Sequence, residues 1–121
     1  MDELTSSGYL VACYYERNYE HLYDFLKELP DHNVVGLFED DDLRKTKKAL
    51  PNMAIAGGMD CYTLNYGTKE QCIDMAKGLL ADLAPGGGYL FCTNKILHSQ
   101  NDANPDNLRA VNEYVMENGK Y

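Results

Sequence analysis

The stretch Asn33-Val34-Val35-Gly36-Leu37-Phe38-Glu39-Asp40-Asp41-Asp42 decides the fold. Its apolar residues, 34–38, run continuously instead of alternating with polar ones, which is typical of a strand covered on both faces in a parallel sheet. The acidic residues that follow form a turn, and Asp41 or Asp42 is expected to cap a helix over residues 43–50. This part of the chain is therefore predicted to be a strand followed by a helix.

Three more strand-and-helix units are predicted around this one. Their strands lie at 8–14, 53–56 and 89–92. Their helices lie at about 18–29, from the T-x-x-Q capping box of Thr68 and Gln71 to about 83, and from the N-cap pair Asn104-Pro105 to Gly119. The segments 60–67 and 93–104 are expected to be loops, and Tyr15, Tyr19 and Tyr23 to share one helix face. Strands that alternate with helices of ~10–15 residues predict an α/β protein with a parallel sheet.

Four such units fit two architectures. One is a small open sheet flanked by helices, and the other is four of the eight units of a (β/α)8 barrel. A full barrel usually takes ~250 residues, and this chain has 121. The length predicts one domain over residues 1–121.

The net charge indicates which partners the protein can bind, and the cysteines indicate the cellular compartment in which it works. The net charge is -8, from 11 Lys and Arg against 19 Asp and Glu, and such a surface repels nucleic acids and anionic lipid. No apolar run reaches the ~20 residues that a membrane helix needs. Residues 1–7 are too polar for an export signal, so the four singly placed cysteines are expected to be reduced thiols of a cytoplasmic protein. His21 and His32 are expected at the surface.

The order and spacing of four segments carry a resemblance to a known family. The segments are Leu10-Val11-Ala12-Cys13 with 22–30, Val34-Val35-Gly36-Leu37-Phe38-Glu39, Ala54-Ile55-Ala56-Gly57-Gly58-Met59 with 64–70, and Gly86-Gly87-Gly88-Tyr89-Leu90-Phe91 with 104–111. From residue 8 to 121 the chain resembles the C-terminal half of the uroporphyrinogen decarboxylase superfamily, nearer to its corrinoid-dependent methyltransferases. Members of this superfamily are (β/α)8 barrels, so the resemblance implies a half-barrel.

The resemblance also implies a cofactor. Methyltransferases of this family hold zinc with a His-x-Cys at one strand end and a further Cys after the last strand. Here the first element is Val11-Ala12-Cys13, and Cys92 lies near the place of the second. Cys13 and Cys92 are therefore the predicted zinc ligands, with Glu39 as a further donor. The corrinoid is expected on a partner protein.

The ends of strands give the remaining site residues, because the chemistry of (β/α)8 barrels lies where strands run into their following helices. By this rule Glu39 and His98 are the predicted catalytic residues. The predicted substrate-binding residues are Gly57, Gly58, Asp60 and Asn94. Paired glycines at a strand end let a ligand approach the backbone, although they can also serve only the turn.

The function that the resemblance implies is transfer of a methyl group from a small donor to a corrinoid protein. The alternatives are a tetrapyrrole decarboxylase of the uroporphyrinogen type and a non-catalytic half-barrel that binds a partner or ligand. The isolated chain is expected to have little activity. Four parallel strands leave two unpaired edges, so we expect a homodimer or, alternatively, a missing N-terminal half-barrel as partner.

Overall fold

A computed structural model describes residues 2–31 and 33–120. Four parallel strands form one sheet in the order β1-β2-β3-β4. They are β1 (Val11–Tyr15), β2 (Val34–Phe38), β3 (Ala54–Met59) and β4 (Tyr89–Thr93). Helices follow each strand, which confirms the predicted α/β fold of four strand-and-helix units.

The helices are of very unequal length. They are α1 (Asp2–Ser6), α2 (Tyr23–Leu26, after a 3-10 turn at Glu20–Leu22), α3 (Leu43–Ala49), α4 (Cys61–Tyr66), α5 (Lys69–Leu83) and α6 (Pro105–Asn118). The predicted caps are confirmed at three of them. The Asp42 carboxylate accepts a hydrogen bond from the Arg44 amide at 3.0 Å, Thr68 and Gln71 form the capping box of α5, and Asn104 caps α6.

The prediction for the first unit is wrong in its helix. In place of a helix over 18–29, a 3-10 turn and one short α-helix are present. The backbone here is held by distant side chains, because the Tyr19 amide donates to Asp41 Oδ1 at 2.8 Å. Tyr15 ends β1 while Tyr23 begins α2, so these residues share no helix face. The Tyr15 and Tyr19 rings nevertheless lie in contact, 5.0 Å apart.

The prediction for residues 60–67 is also wrong. They form α4, whose N-cap Asp60 accepts a hydrogen bond from the Thr63 amide at 2.9 Å. Strand β3 runs through the two glycines to Met59 instead of ending at Ala56. His21 is exposed as expected, and His32 lies outside the described residues. Cys13, Cys61, Cys72 and Cys92 are not paired in disulfides with one another.

One face of the sheet carries the core. Strand residues on this face join buried helix residues in one cluster, which includes Tyr15, Phe38, Ile55, Met59, Tyr89, Leu43, Leu64, Ala76, Leu79, Leu83 and Val111. The opposite face takes no part in that cluster. It carries Ala12, Tyr14, Val35, Leu37, Ala54, Ala56, Leu90 and Cys92. Tyr14 is 37% and Leu90 50% exposed there, so this face is open.

Candidate functional site

A polar cavity of about 550 Å³ lies at the carboxyl ends of the strands. It is lined by Tyr14, Glu16, Arg17, Glu39, Asp40, Lys95, Ile96 and His98. These residues follow β1, β2 and β4 or, for Tyr14, lie on the open face of β1. The structure therefore brings the two predicted catalytic residues, Glu39 and His98, to one cavity. Another cavity, of about 330 Å³ between α2 and α3, contains none of the predicted site residues.

Glu39 is the most firmly held side chain of this cavity. Its Oε2 accepts a hydrogen bond from the Arg17 amide at 2.6 Å, and its Oε1 lies 3.1 Å from Lys95 Nζ. The side chain is only 13% exposed. The Arg17 amide, and then the Lys95 ammonium, hold the pKa of Glu39 below its usual value. Glu39 is thus an ionised carboxylate with a fixed position.

The ion pair with Glu39 also changes the pKa of Lys95. The neighbouring Glu39 carboxylate, with a smaller contribution from Asp40, raises the pKa of Lys95. Its side chain is 50% exposed, and an ammonium has three donors. Lys95 therefore stays protonated and keeps donors for a ligand.

Tyr14 and His98 complete the wall of the cavity. Burial and the nearby Glu39 and Glu16 carboxylates raise the pKa of Tyr14, so its hydroxyl remains a donor at neutral pH. The loop that carries His98 is fixed by Asp102, whose Oδ2 accepts the His98 amide at 2.6 Å and the Ser99 amide at 2.9 Å. His98 is exposed, and it is the imidazole on this cavity.

Asp60 and Asn94, predicted to bind substrate, are engaged with each other and with the protein backbone. Asn94 Oδ1 accepts the Cys61 amide at 3.0 Å, and its Nδ2 donates to Asp60 Oδ1 at 3.4 Å. The other Asp60 oxygen caps α4 through Thr63. These two side chains join the end of β4 to the start of α4, and neither lines the cavity.

Gly57 and Gly58 lie inside β3, with φ of 119° and 100°. A side chain at Gly58 would meet the core, since its Cβ would lie 2.9 Å from Leu79 Cδ2 and 3.1 Å from Leu43 Cδ1. The Gly57 carbonyl accepts a hydrogen bond from the Tyr89 hydroxyl at 2.8 Å. The paired glycines thus satisfy a backbone and packing requirement of β3, and they do not line the cavity.

The predicted zinc ligands do not converge. Cys13 lies in one row with Gly36, Ile55 and Tyr89, on the face that carries the core. Along β4, Tyr89 and Phe91 lie on the face that carries the core, and Cys92 lies on the opposite, open face. The two strands are three spacings apart, about 14 Å. Among the described residues no three His, Cys, Asp or Glu side chains are grouped to hold a metal ion.

Burial raises the pKa of the Cys92 thiol, which disfavours the thiolate that a metal binds. Cys13, Glu39 and Cys92 are therefore not placed to hold a zinc ion in this structure.

The two basic residues of the cavity, Lys95 and Arg17, were not among the predicted site residues. Lys95 comes two positions after β4, which extends to Thr93 rather than ending at Cys92. The strand-end rule applied to the longer strand would have found it. Arg17 likewise comes two positions after β1, which extends to Tyr15 instead of ending at Tyr14, so the same rule would have found it; its amide contact with Glu39, 22 residues later in the chain, has no local signal.

Comparison of the chain with protein-family models, with curated proteins and with solved structures gave no match. In the part of the chain that the structure describes, none of the helices has the length and apolar character needed to cross a bilayer.

Proposed function

We propose that this chain is a half-barrel of the uroporphyrinogen decarboxylase type, and that it takes part in methyl transfer between a small donor and a corrinoid on a partner protein. The observation that carries the proposal is the position of Glu39. It is a partly buried carboxylate at the carboxyl end of β2, fixed by the Arg17 amide and Lys95 in a polar cavity. In (β/α)8 barrels the active site lies at this end of the strands.

The strand order supports the half-barrel. Right-handed crossovers between consecutive neighbouring strands place every helix on the same side of the sheet, whereas doubly wound sheets reverse their order and carry helices on both faces. Here the order is β1-β2-β3-β4, with the core on one face and the other face open. The resemblance of four segments to the superfamily agrees with this arrangement.

A partner is part of the proposal. Strands β1 and β4 form the edges of the sheet, and such edges pair readily with another chain. A second copy of this chain is the preferred partner, because two four-stranded sheets make the eight strands of a barrel. An N-terminal half-barrel on another chain is the alternative. A cytoplasmic location, where thiols stay reduced, goes with this proposal.

In this proposal the residues of the cavity transfer a proton and hold the reacting groups in position. When the donor's methyl group passes to the corrinoid, the bond between methyl and donor atom breaks, and the donor atom keeps the electron pair. That atom then needs a proton, which His98 can supply because it lines the cavity. Glu39 keeps Lys95 charged and in place.

The test is a single-turnover assay of the reverse reaction. Purified chain is mixed with an equal amount of methylcobalamin and a small thiol, so that even a slow chain gives a signal. The thiol loses its proton to the buffer and its sulfur takes the methyl group. The bond between methyl and cobalt breaks with its electron pair left on cobalt, and the resulting cob(I)alamin is followed by absorbance. We expect a rate above the protein-free blank, reduced at least about ten-fold by Glu39→Gln.

Glu113→Gln, an exposed carboxylate on α6, is the matched control and should keep the wild-type rate. A wild-type rate equal to the blank contradicts the proposal in its preferred form, in which two copies of this chain complete the barrel. Binding of uroporphyrin without methyl transfer would instead favour the decarboxylase.

A further inference from the structure

Arg17 has a backbone conformation that is unfavourable for its residue type. Its φ is 63°, and among the non-glycine residues that the structure describes it alone has a positive φ. A left-handed residue with a side chain brings its Cβ close to the following carbonyl oxygen, and glycine avoids this contact. We therefore look for an interaction of the arginine side chain or backbone that offsets this strain.

The backbone contacts of Arg17 do not explain why arginine is present instead of glycine. Its amide donates to Glu39 Oε2 at 2.6 Å, and its carbonyl oxygen accepts a hydrogen bond from the Asp40 amide at 3.4 Å. Glycine would make both contacts without strain. The advantage of arginine must lie in the guanidinium group.

That group belongs to a residue of the cavity wall, where its charge also helps to lower the pKa of Glu39. Arg17 is exposed and lines the cavity, and within residues 2–31 and 33–120 its guanidinium forms no ion pair. Lys95, on the same cavity, uses Glu39 as its one ion-pair partner within these residues. Two cations with spare donors thus face one cavity, and the planar fork of a guanidinium matches a carboxylate.

The acidic groups of the cavity limit the size of the anion. Glu39 is already paired with Lys95, but Glu16 and Asp40 also line the wall. A large polyanion would be repelled by them. For one small carboxylate the cavity wall offers donors from Arg17, Lys95 and the Tyr14 hydroxyl.

We infer that Arg17 is a ligand-binding residue, and that the cavity takes a small molecule that carries one carboxylate, held by the Arg17 guanidinium. The inference rests on the proposed function in one respect: there the small molecule is the methyl donor or acceptor. The binding itself does not depend on any methyl transfer.

The test uses pivalate and its neutral isostere pivalamide as probes in NMR titrations of the whole chain, which detect millimolar binding. Three variants are compared with the wild type. Arg17→Gly removes the guanidinium but keeps the backbone amide, Arg17→Lys keeps the charge without the fork, and Arg109→Ala removes an exposed arginine from α6.

We expect pivalate to bind the wild type and Arg109→Ala alike, and pivalamide to bind neither. Arg17→Gly should bind pivalate at least about ten-fold more weakly, with Arg17→Lys between the two. The midpoint of thermal unfolding of Arg17→Gly should be no lower than that of the wild type, because glycine relieves the left-handed strain. Stability retained while binding is lost distinguishes a binding role from a structural one.

Three results would overturn the inference: no pivalate binding by the wild type, undiminished binding by Arg17→Gly, or equal binding of pivalamide. The proposed function has its own test. Pivalate binding that depends on Arg17, without methyl transfer, would refute that function and leave the carboxylate site intact. Methyl transfer without pivalate binding would do the reverse.

Discussion

Lys95 Nζ lies 3.1 Å from Glu39 Oε1, and this ion pair joins the segment after β4 to the end of β2. Strand β3 lies between the two strands that precede these residues. The pair therefore crosses the carboxyl end of the sheet. Together with the Arg17 amide it places a carboxylate, an ammonium and a guanidinium on one cavity.

Lys95→Met should raise the pKa of Glu39 only part of the way to its usual value. The Arg17 amide is the largest single cause of the lowered pKa, and it remains in this variant. A titration of the Glu39 side-chain carboxyl followed by ¹³C NMR measures the change, with Lys45→Met on α3 as control. A pKa that stays unchanged, or one that returns fully to its usual value, would contradict this division between the two donors.

The same shifts set the pH dependence of stability. Because the pKa of Glu39 is lower in the folded chain, its contribution is present at neutral pH and is lost as the pH falls below about 4.5, through the lowered pKa. The pKa of Lys95 is raised, so its contribution is present below about 10.5 and is lost as the pH rises through the raised value. Urea unfolding of wild type and Lys95→Met should therefore differ least at the two extremes of pH.

Gly58→Ala should destabilise the chain by about 2–4 kcal/mol, from left-handed strain together with overpacking against Leu79 and Leu43. Gly86→Ala separates the two causes. Gly86 has a φ of 85°, but an added Cβ there has no neighbour within 4 Å, so only the strain of about 1–2 kcal/mol applies. Urea unfolding measures both variants. An equal decrease in the free energy of unfolding of the two variants would mean that the core side chains move aside for a methyl group at position 58.

Tyr23→Phe should cost about 1–3 kcal/mol, because the buried Tyr23 hydroxyl bonds both the Asp41 carboxylate and the Thr46 hydroxyl. These contacts hold α2 against the acidic turn and α3. Tyr62→Phe is the matched control, since Tyr62 is 72% exposed, and its effect should stay within about 0.5 kcal/mol. A Tyr23→Phe variant as stable as the control would mean that Asp41 and Thr46 find other partners.

How far the sequence predicts this molecule depends on where each contact comes from. Helix α3 was predictable because its cap, Asp42, and the strand before it are local patterns. Helix α4 was not. Its sequence, CYTLNY, contains residues of low helix propensity, and Asn107 holds its end by donating to the carbonyls of Leu64 and Gly67 at 3.0 and 2.8 Å. Contacts with a partner 40 or more residues away leave no local signal.

The candidate site divides in the same way. Glu39 follows a clear strand and was predicted from that position. Arg17 was not, because β1 extends one residue beyond its predicted end and the contact of the Arg17 amide with Glu39 arises only in the folded chain. Cys13 and Cys92 were grouped by resemblance, and the alternation of side chains along β1 and β4 separates them.

The open sheet face predicts the mass of the chain in solution. If a second copy closes the barrel, light scattering should give twice 13.7 kDa. Leu90 is 50% exposed on that face, so Leu90→Glu would place a charge inside the closed barrel and should return the mass to 13.7 kDa. Ala81→Glu, at an exposed position on α5, adds the same charge elsewhere and should leave the dimer intact. A wild-type chain of 13.7 kDa would refute the homodimer, and a dimer that survives Leu90→Glu would place the contact on another surface.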